Sequence, residues 1–209
     1  RKLGFPVTTE VKKDKIVYFT KSKQYKLPLP WDWSNYGNYI ISLSQLCRKL
    51  AEYAESLGVE IYPGFAAKSA LIEDGILKGI LTGDMGLERD GTPSANYQPG
   101  IEIRAKQTIL AEGCRGSVSK QLIEYFKLNA DSQAQTYGLG IKEIWRVDPK
   151  KHRLGNVTHT IGYPLDAQTY GGGFVYHLAG GLVSVGLVTA LDYQNPYLSP
   201  YEEFQRFKL

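Results

Sequence analysis

Cysteine and histidine are scarce in this chain: 209 residues include only Cys47, Cys114, His152, His159 and His177. No two of them fall at a ligand spacing such as C-x-x-C, which excludes a self-contained four-cysteine iron–sulfur or zinc site. The cysteines sit singly in different contexts, as expected in a reducing compartment. The nucleophile pattern G-x-S-x-G and the P-loop are missing, and so is G-x-G-x-x-G. Gly138-Leu-Gly140 comes nearest to the last of these, but Glu143 stands where its third glycine belongs. A hydrolytic triad is therefore not expected, and the first phosphate-binding turn of any nucleotide site must lie elsewhere. Acidic and basic residues are absent from residues 167–191, a stretch of 25 positions. About 20 apolar residues suffice to cross a bilayer. Six glycines, polar Gln168, His177 and Ser184, and a Gly180-Gly181 turn between two alternating runs instead predict a β-hairpin there. A start at Arg1, with neither methionine nor a signal-like apolar stretch, is expected of a piece of a longer chain.

What is present is an ordinary globular balance, 43% hydrophobic and 22% charged residues, enough for one large domain or two small ones. Glycine is in surplus, 22 residues or roughly one in ten against the usual ~7%. The net charge of +4 is uneven: residues 1–30 hold eight Lys/Arg against Glu10 and Asp14, so the remainder is slightly acidic. A basic N-terminal region beside aromatics suits nucleic acid, an anionic membrane surface, or merely a solvated hairpin.

Residues 16–20 read as a strand. From Tyr25 to Trp33 every odd position (Tyr25, Leu27, Leu29, Trp31, Trp33) is apolar or aromatic, which predicts an extended segment. Pro28 and Pro30 confine it to a sheet edge. Leu43, Leu46, Cys47, Leu50, Ala51, Ala54 and Leu57 give helical spacing, stopped by Gly58. Strands are expected at 59–62, 101–105 and 108–111, a hairpin at 66–82 around Asp74-Gly75, and a polar excursion at 84–100. A helix runs to about Phe126, strand-like blocks lie at 137–147, 157–163, 173–178 and 182–190, and a helix starts at Ser199.

Two segments carry chemistry. Ala111-Glu-Gly-Cys-Arg-Gly116 ends one predicted strand and opens a helix, where small residues and free N–H groups suit an anion or a flavin. A ligand-free strand-to-helix turn has the same composition. Thr169-Tyr-Gly-Gly-Gly-Phe-Val-Tyr-His177 exposes backbone between aromatics, as a flat quinone needs, although a glycine bulge in a hairpin reads alike. His177 is either a proton donor or a satisfied structural histidine.

As a set, Gly37-Asn-Tyr-Ile40, Ala54-Glu-Ser-Leu-Gly-Val-Glu-Ile-Tyr-Pro-Gly-Phe-Ala-Ala67, Leu110-Ala-Glu-Gly-Cys-Arg-Gly116, Gln135-Thr-Tyr-Gly-Leu-Gly-Ile-Lys-Glu143, Thr169-Tyr-Gly-Gly172 and Leu191-Asp-Tyr-Gln-Asn-Pro-Tyr-Leu-Ser-Pro200 resemble the electron-transfer flavoprotein:ubiquinone oxidoreductase family, in order, from about Gly4 to Phe207. The resemblance implies an enzyme passing electrons from electron-transfer flavoprotein to ubiquinone through FAD and a 4Fe–4S cluster. This chain would be its central portion, inactive by itself, with the cluster ligands outside it. The implied fold is α+β: a mixed or antiparallel sheet binding quinone, with helices, plus part of an FAD-binding two-dinucleotide-fold domain of the glutathione-reductase kind. By the same resemblance residues 1–40 form a membrane-facing hairpin, 41–125 belong to the FAD domain and 126–209 to the ubiquinone domain. Tyr170, Gly171 and Gly172 then match the quinone site. Ala66, Ala67, Ala111, Glu112 and Gly113 match the FAD side. Ser42 stands where some forms carry arginine, so no phosphate contact is assigned to it.

Leu27, Leu29, Trp31 and Trp33 would meet the lipid interface, with Lys21, Lys23 and Lys26 near anionic headgroups at about 1 kcal/mol each. The implied location is the face of the bacterial cytoplasmic membrane, or of the mitochondrial inner membrane in a eukaryotic relative, lying on it rather than spanning it. Nucleic acid is not an expected partner, because no recognition module accompanies the basic residues. The alternatives are another FAD-dependent reductase or hydroxylase of the same fold, and a non-catalytic membrane-surface β module.

Overall fold

The computed structural model describes residues 4–7 and 9–209; Arg1, Lys2 and Leu3 of the basic N-terminal region, and Thr8, lie outside the described residues. Strands Thr9–Glu10 (β1), Lys13–Phe19 (β2), Gln24–Leu27 (β3) and Tyr39–Ile40 (β4) precede a helix, Leu43–Ser56 (α1). Strands Ala67–Glu73 (β5), Ile76–Thr82 (β6), Met85–Leu87 (β7), Pro93–Gln98 (β8) and Glu102–Arg104 (β9) lead to a second helix, Ser117–Phe126 (α2). Strands Gly138–Arg146 (β10), Asn156–Gly162 (β11), Gly171–His177 (β12) and Leu182–Ala190 (β13) lead to a third, Pro200–Phe207 (α3). The chain is thus α+β and mostly sheet. It divides into two compact units, one formed by the chain up to Val59 with Gln135–Leu209, the other by Glu60–Ala134. These units do not follow the boundaries at 40 and 125 expected from sequence, because β2 and β3 complete a sheet whose other strands come after residue 137.

In the first unit the six-stranded sheet has the order β10-β13-β12-β11-β2-β3. Only β11 and β2 run parallel; the other neighbours are antiparallel. The uncharged stretch 167–191 is the β12–β13 hairpin, turned at Gly180 (φ 73°) and Gly181 (φ 71°). Among the described residues, no helix is long and apolar enough to cross a membrane. Helix α3 covers one sheet face. Ser199 caps it by accepting from the Glu202 N–H at 3.4 Å, Pro200 opens it, and Glu202 and Glu203 complement its N-terminal dipole. Phe204, fully buried, meets Leu165 and Leu187, with Ile141, Val185 and Phe207 packed around them. Helix α1 forms as its spacing predicts, capped by the Ser42 hydroxyl. It buries no residue fully among those described, and Leu43 and Leu57 are two-thirds exposed.

The extended segment predicted from Tyr25 to Trp33 is shorter than expected. Strand β3 pairs with β2 at the sheet edge from Gln24 only as far as Leu27, and Trp31–Trp33 form a 3-10 turn. Pro28 and Pro30 have no N–H for the ladder, which is why pairing stops there.

In the second unit β5 and β6 form the predicted hairpin, with Asp74 (φ 51°) and Gly75 (φ 72°) at the turn, and β9 joins β6. The region read as a polar excursion contains a further hairpin, β7–β8. The strands expected at 59–62 and 108–111 are absent: these residues pair with no strand among those described, and extended chain without a ladder is not a strand. Helix α2 packs on β5, where the Gln121 side chain accepts from the Ala70 N–H (3.1 Å) and donates to the Lys68 carbonyl (2.9 Å).

Candidate functional site

Side chains alternate across a strand, so the three glycines that open β12 divide between the two faces of the sheet. Gly171 and Gly173 face α3: a Cβ on Gly171 would lie 2.5 Å from a Leu165 methyl, and one on Gly173 would lie 2.3 Å from the Phe207 ring. Gly172 faces the other way, with Phe174 and Tyr176 following at alternate positions. Cross-strand partners extend this second face: Val188 stands opposite Gly172, His159 opposite Phe174, and Ile16 and Leu27 opposite His159 in turn. Gly186, opposite Phe174, leaves room for its ring.

A cavity of about 630 Å³ opens on this face. Gly172, Gly173 and Val188 line it from the sheet, Phe174, Tyr176 and His159 add ring walls, and Leu29 and Trp33 approach from the proline-rich segment. It is within the size range of a small-molecule site, and its lining is divided between apolar groups and polar ones, Asp32, Asn38 and Thr160 among them. Asn35 anchors that segment. Its backbone and side-chain N–H groups both donate to Asp14 Oδ2, at 2.8 and 2.9 Å. The cavity therefore unites Gly172 with Leu29 and Trp33, three residues predicted from sequence for separate purposes. Gly171 does not line it, and Tyr170, 85% exposed, does not either.

Phe174 and Tyr176 belong to the aromatic-flanked glycine segment picked out in the sequence, though without an individual assignment, and His159 was missed. The first two follow from period-two alternation once Gly172 is placed. His159 carries no such local signal. His177 lies on the α3 face, outside the cavity lining, and its Nδ1 accepts from the Arg153 N–H at 3.1 Å. Burial first, then the positive charges of His152, Arg153 and Lys15, holds its pKa below the ordinary imidazole value. Of the two sequence readings, the satisfied structural histidine matches this arrangement.

In the second unit, Ala66 and Ala67 enter β5, and Ala111, Glu112 and Gly113 form an exposed turn into α2. The Glu112 carboxylate accepts from the Ser119 N–H (2.7 Å), the Ser119 hydroxyl (2.6 Å) and the Val118 N–H (3.3 Å). It thereby occupies the helix N-terminus where an external anion would bind. These bonds, the Ser119 hydroxyl foremost, hold its pKa below the ordinary value of 4.5. A depressed carboxyl stabilises the fold fully above its unfolded pKa and loses that contribution as pH falls through the folded one. Amide exchange at Val118 and Ser119 is therefore expected to quicken on acidification below about 4.5, relative to an unbonded amide. In Glu112→Gln that pH dependence should vanish; its persistence would mean another group caps α2.

Cys47 and Cys114 are exposed and unpaired, and among the described residues no three His, Cys, Asp or Glu side chains group as a metal site would require.

The family described as "ETF-QO, ubiquinone-binding" matches residues 137–209, the stretch containing β10 to β13 and α3. Electron transfer flavoprotein-ubiquinone oxidoreductase of Pseudomonas aeruginosa is 54% identical over the whole chain, which spans 39% of that protein's length. The mitochondrial proteins of that name from Dictyostelium discoideum and Homo sapiens are 51% and 50% identical over 99% and 98% of the chain, each covered over 34% of its length. In fold, the chain is similar to a geranylgeranyl bacteriochlorophyll reductase-like protein of Thermoplasma acidophilum (TM-score 0.63, 18% identity, 95% of this chain and 45% of that one). At identities of half or more along essentially its entire length, the chain belongs to the electron transfer flavoprotein-ubiquinone oxidoreductase family.

Proposed function

We propose that the cavity over Gly172 and Gly173 receives the head group of ubiquinone, and that the chain supplies the quinone-binding region of an enzyme passing electrons from electron-transfer flavoprotein to ubiquinone. The observation that carries this reading is the cavity itself. It lies over side-chain-free backbone, walled by Phe174 and Trp33, within a unit whose later strands match a ubiquinone-binding family. A quinone is flat and apolar with two acceptor carbonyls, so it needs ring walls, an approach to backbone, and a few donors. A short-chain ubiquinone titrated into the chain should quench Trp33 fluorescence saturably, and Trp33→Phe should remove that signal. Quenching that rises linearly without saturation would argue against a site.

The part of an FAD region expected at Ala66, Ala67, Ala111, Glu112 and Gly113 fits the flavin through backbone. Nothing lies within 4 Å of the place a Gly113 Cβ would take, leaving the turn open to a ligand's approach. Ala111 and Gly113 would offer main-chain groups and Ala66 with Ala67 the small residues beside the adenine. With Glu112 already capping α2, this turn is not a phosphate site. FAD, when bound, supplies the electron-storing chemistry that no side chain here provides. The 4Fe–4S ligands belong outside this chain.

The same enzyme would lie on a membrane surface, bacterial cytoplasmic or mitochondrial inner, without spanning it. Trp31, 90% exposed, Trp33, 61% exposed, and Leu29 support this, with Lys21, Lys23 and Lys26 exposed nearby in sequence. Exchanging Trp31 and Trp33 for serine should lower binding to anionic liposomes at least tenfold; unchanged binding would remove this segment from the interface.

A further inference from the structure

Asp14 is a buried charge in the first unit: its side chain has no solvent exposure, and Oδ1 finds no hydrogen-bond partner among the described residues. A buried, unpaired carboxylate oxygen is costly unless a positive charge arrives beside it. The group facing it is His159, whose Nδ1 lies 4.0 Å from Oδ1. On its other edge His159 meets Tyr176, Nε2 to Oη, at 2.6 Å. His159 and Tyr176 both line the cavity, and Asp14 stands behind them on β2.

We propose that Asp14, His159 and Tyr176 form a proton-dependent donor on the cavity wall, built to hold a ligand oxygen that carries negative charge, such as that of a reduced or acidic quinone. The inference rests on the quinone reading of this cavity. With a neutral imidazole, Nδ1–H faces Asp14 and Nε2 accepts the Tyr176 O–H, so the phenol's one proton is committed to histidine. With an imidazolium, Nε2–H donates to Tyr176 Oη instead. The O–H is then released toward the cavity, and the positive charge sits against Asp14. Protonation of His159 thus turns Tyr176 from a donor to histidine into a donor to the ligand. Burial, then the negative charge of Asp14, holds the Tyr176 pKa above its ordinary value, so the phenol stays a donor.

Other titratable groups facing His159 do not supply this charge. Asp32 lines the cavity, and the Asp14 N–H donates to Tyr36 Oη at 3.5 Å. Tyr18 and Tyr25 share the sheet face, and β3 presents Leu27 across from Ile16. Among the described residues, no Lys or Arg lines the cavity. Between Asp32 and Asp14 an anion is unwelcome until His159 is protonated.

The test compares two probes on the whole chain: a short-chain ubiquinone, neutral throughout, and a hydroxynaphthoquinone whose enol is ionised. Across the range where imidazoles titrate, about pH 5 to 8, the anion should bind more tightly as pH falls, by at most about tenfold per pH unit for one linked proton. Neutral ubiquinone should show no such slope. By reciprocity the anion should raise the titration midpoint of His159, followed by imidazole nitrogen shifts in the unmodified chain and assigned with His159→Gln, whereas neutral ubiquinone should not. In Tyr176→Phe the slope for the anion should flatten. If ubiquinone binds saturably but anion binding is independent of pH, or the midpoint of His159 does not move, the relay is overturned and the quinone site stands. If neither probe binds, both fall.

Discussion

Gly172→Val is expected to abolish detectable binding of a short-chain ubiquinone, a loss of more than tenfold in affinity, or about 1.4 kcal/mol at the least. Two effects act together. The valine methyls would project into the cavity beside Phe174 and Tyr176, filling the approach to the backbone. The Cβ itself would lie 2.4 Å from the Thr160 carbonyl oxygen, a backbone atom of β11 that cannot swing aside. Overpacking of this kind costs about 1–3 kcal/mol of stability. A second substitution separates obstruction from strain. Val188 stands opposite Gly172 and lines the same cavity, and Val188→Trp adds bulk there without a new Cβ. It should also weaken quinone binding, with a smaller fall in Tm. Affinity retained in both variants would place the head group elsewhere.

Phe204→Ala should give the largest loss of stability among these substitutions. Phe204 is wholly buried where α3 meets β13 and β10, against Leu165 and Leu187. Removing such a ring typically costs about 3–5 kcal/mol, because the lost transfer energy adds to that of an unfilled cavity. For a chain of this size that is a fall in Tm of roughly 10 °C. The loss should reach the ligand site, since Phe207 of the same helix packs over Gly173 and so supports the floor of the cavity from the other face. Tyr201→Ala, more than half exposed on α3, serves as the contrast and should shift stability by less than about 0.5 kcal/mol. Equal effects of the two substitutions would mean that α3 is not held by its buried face.

What could be read from the sequence was local. Asp74-Gly75, the glycine pair at 180–181 and the Ser199-Pro200 helix start each impose a backbone geometry through their own chemistry, and each stands where expected. The strand expected at 108–111 fails because a strand needs a partner, which composition does not reveal. Trp31 and Trp33 were legible as an exposed aromatic pair, but not as a turn that brings Trp33 to Gly172. The family motifs located the glycine run; alternation and register then decided that Gly172 opens the cavity while Gly171 serves the core. The Asp14–His159–Tyr176 set was not legible at all. Its members lie 145 and 17 residues apart on three strands, and Asp14 between Lys13 and Lys15 reads as a solvated charge until β11 is laid beside β2.

The central claim, that the cavity on the Gly172 face takes a quinone head group, is tested most directly by photolabelling the chain with an azido-substituted short-chain ubiquinone and mapping the modified peptides. Labels should fall on the β12 segment from Gly172 to Tyr176 and on the segment from Leu29 to Asn35, and should be suppressed by excess unlabelled ubiquinone. Suppressible labelling confined to peptides outside the cavity lining would contradict it.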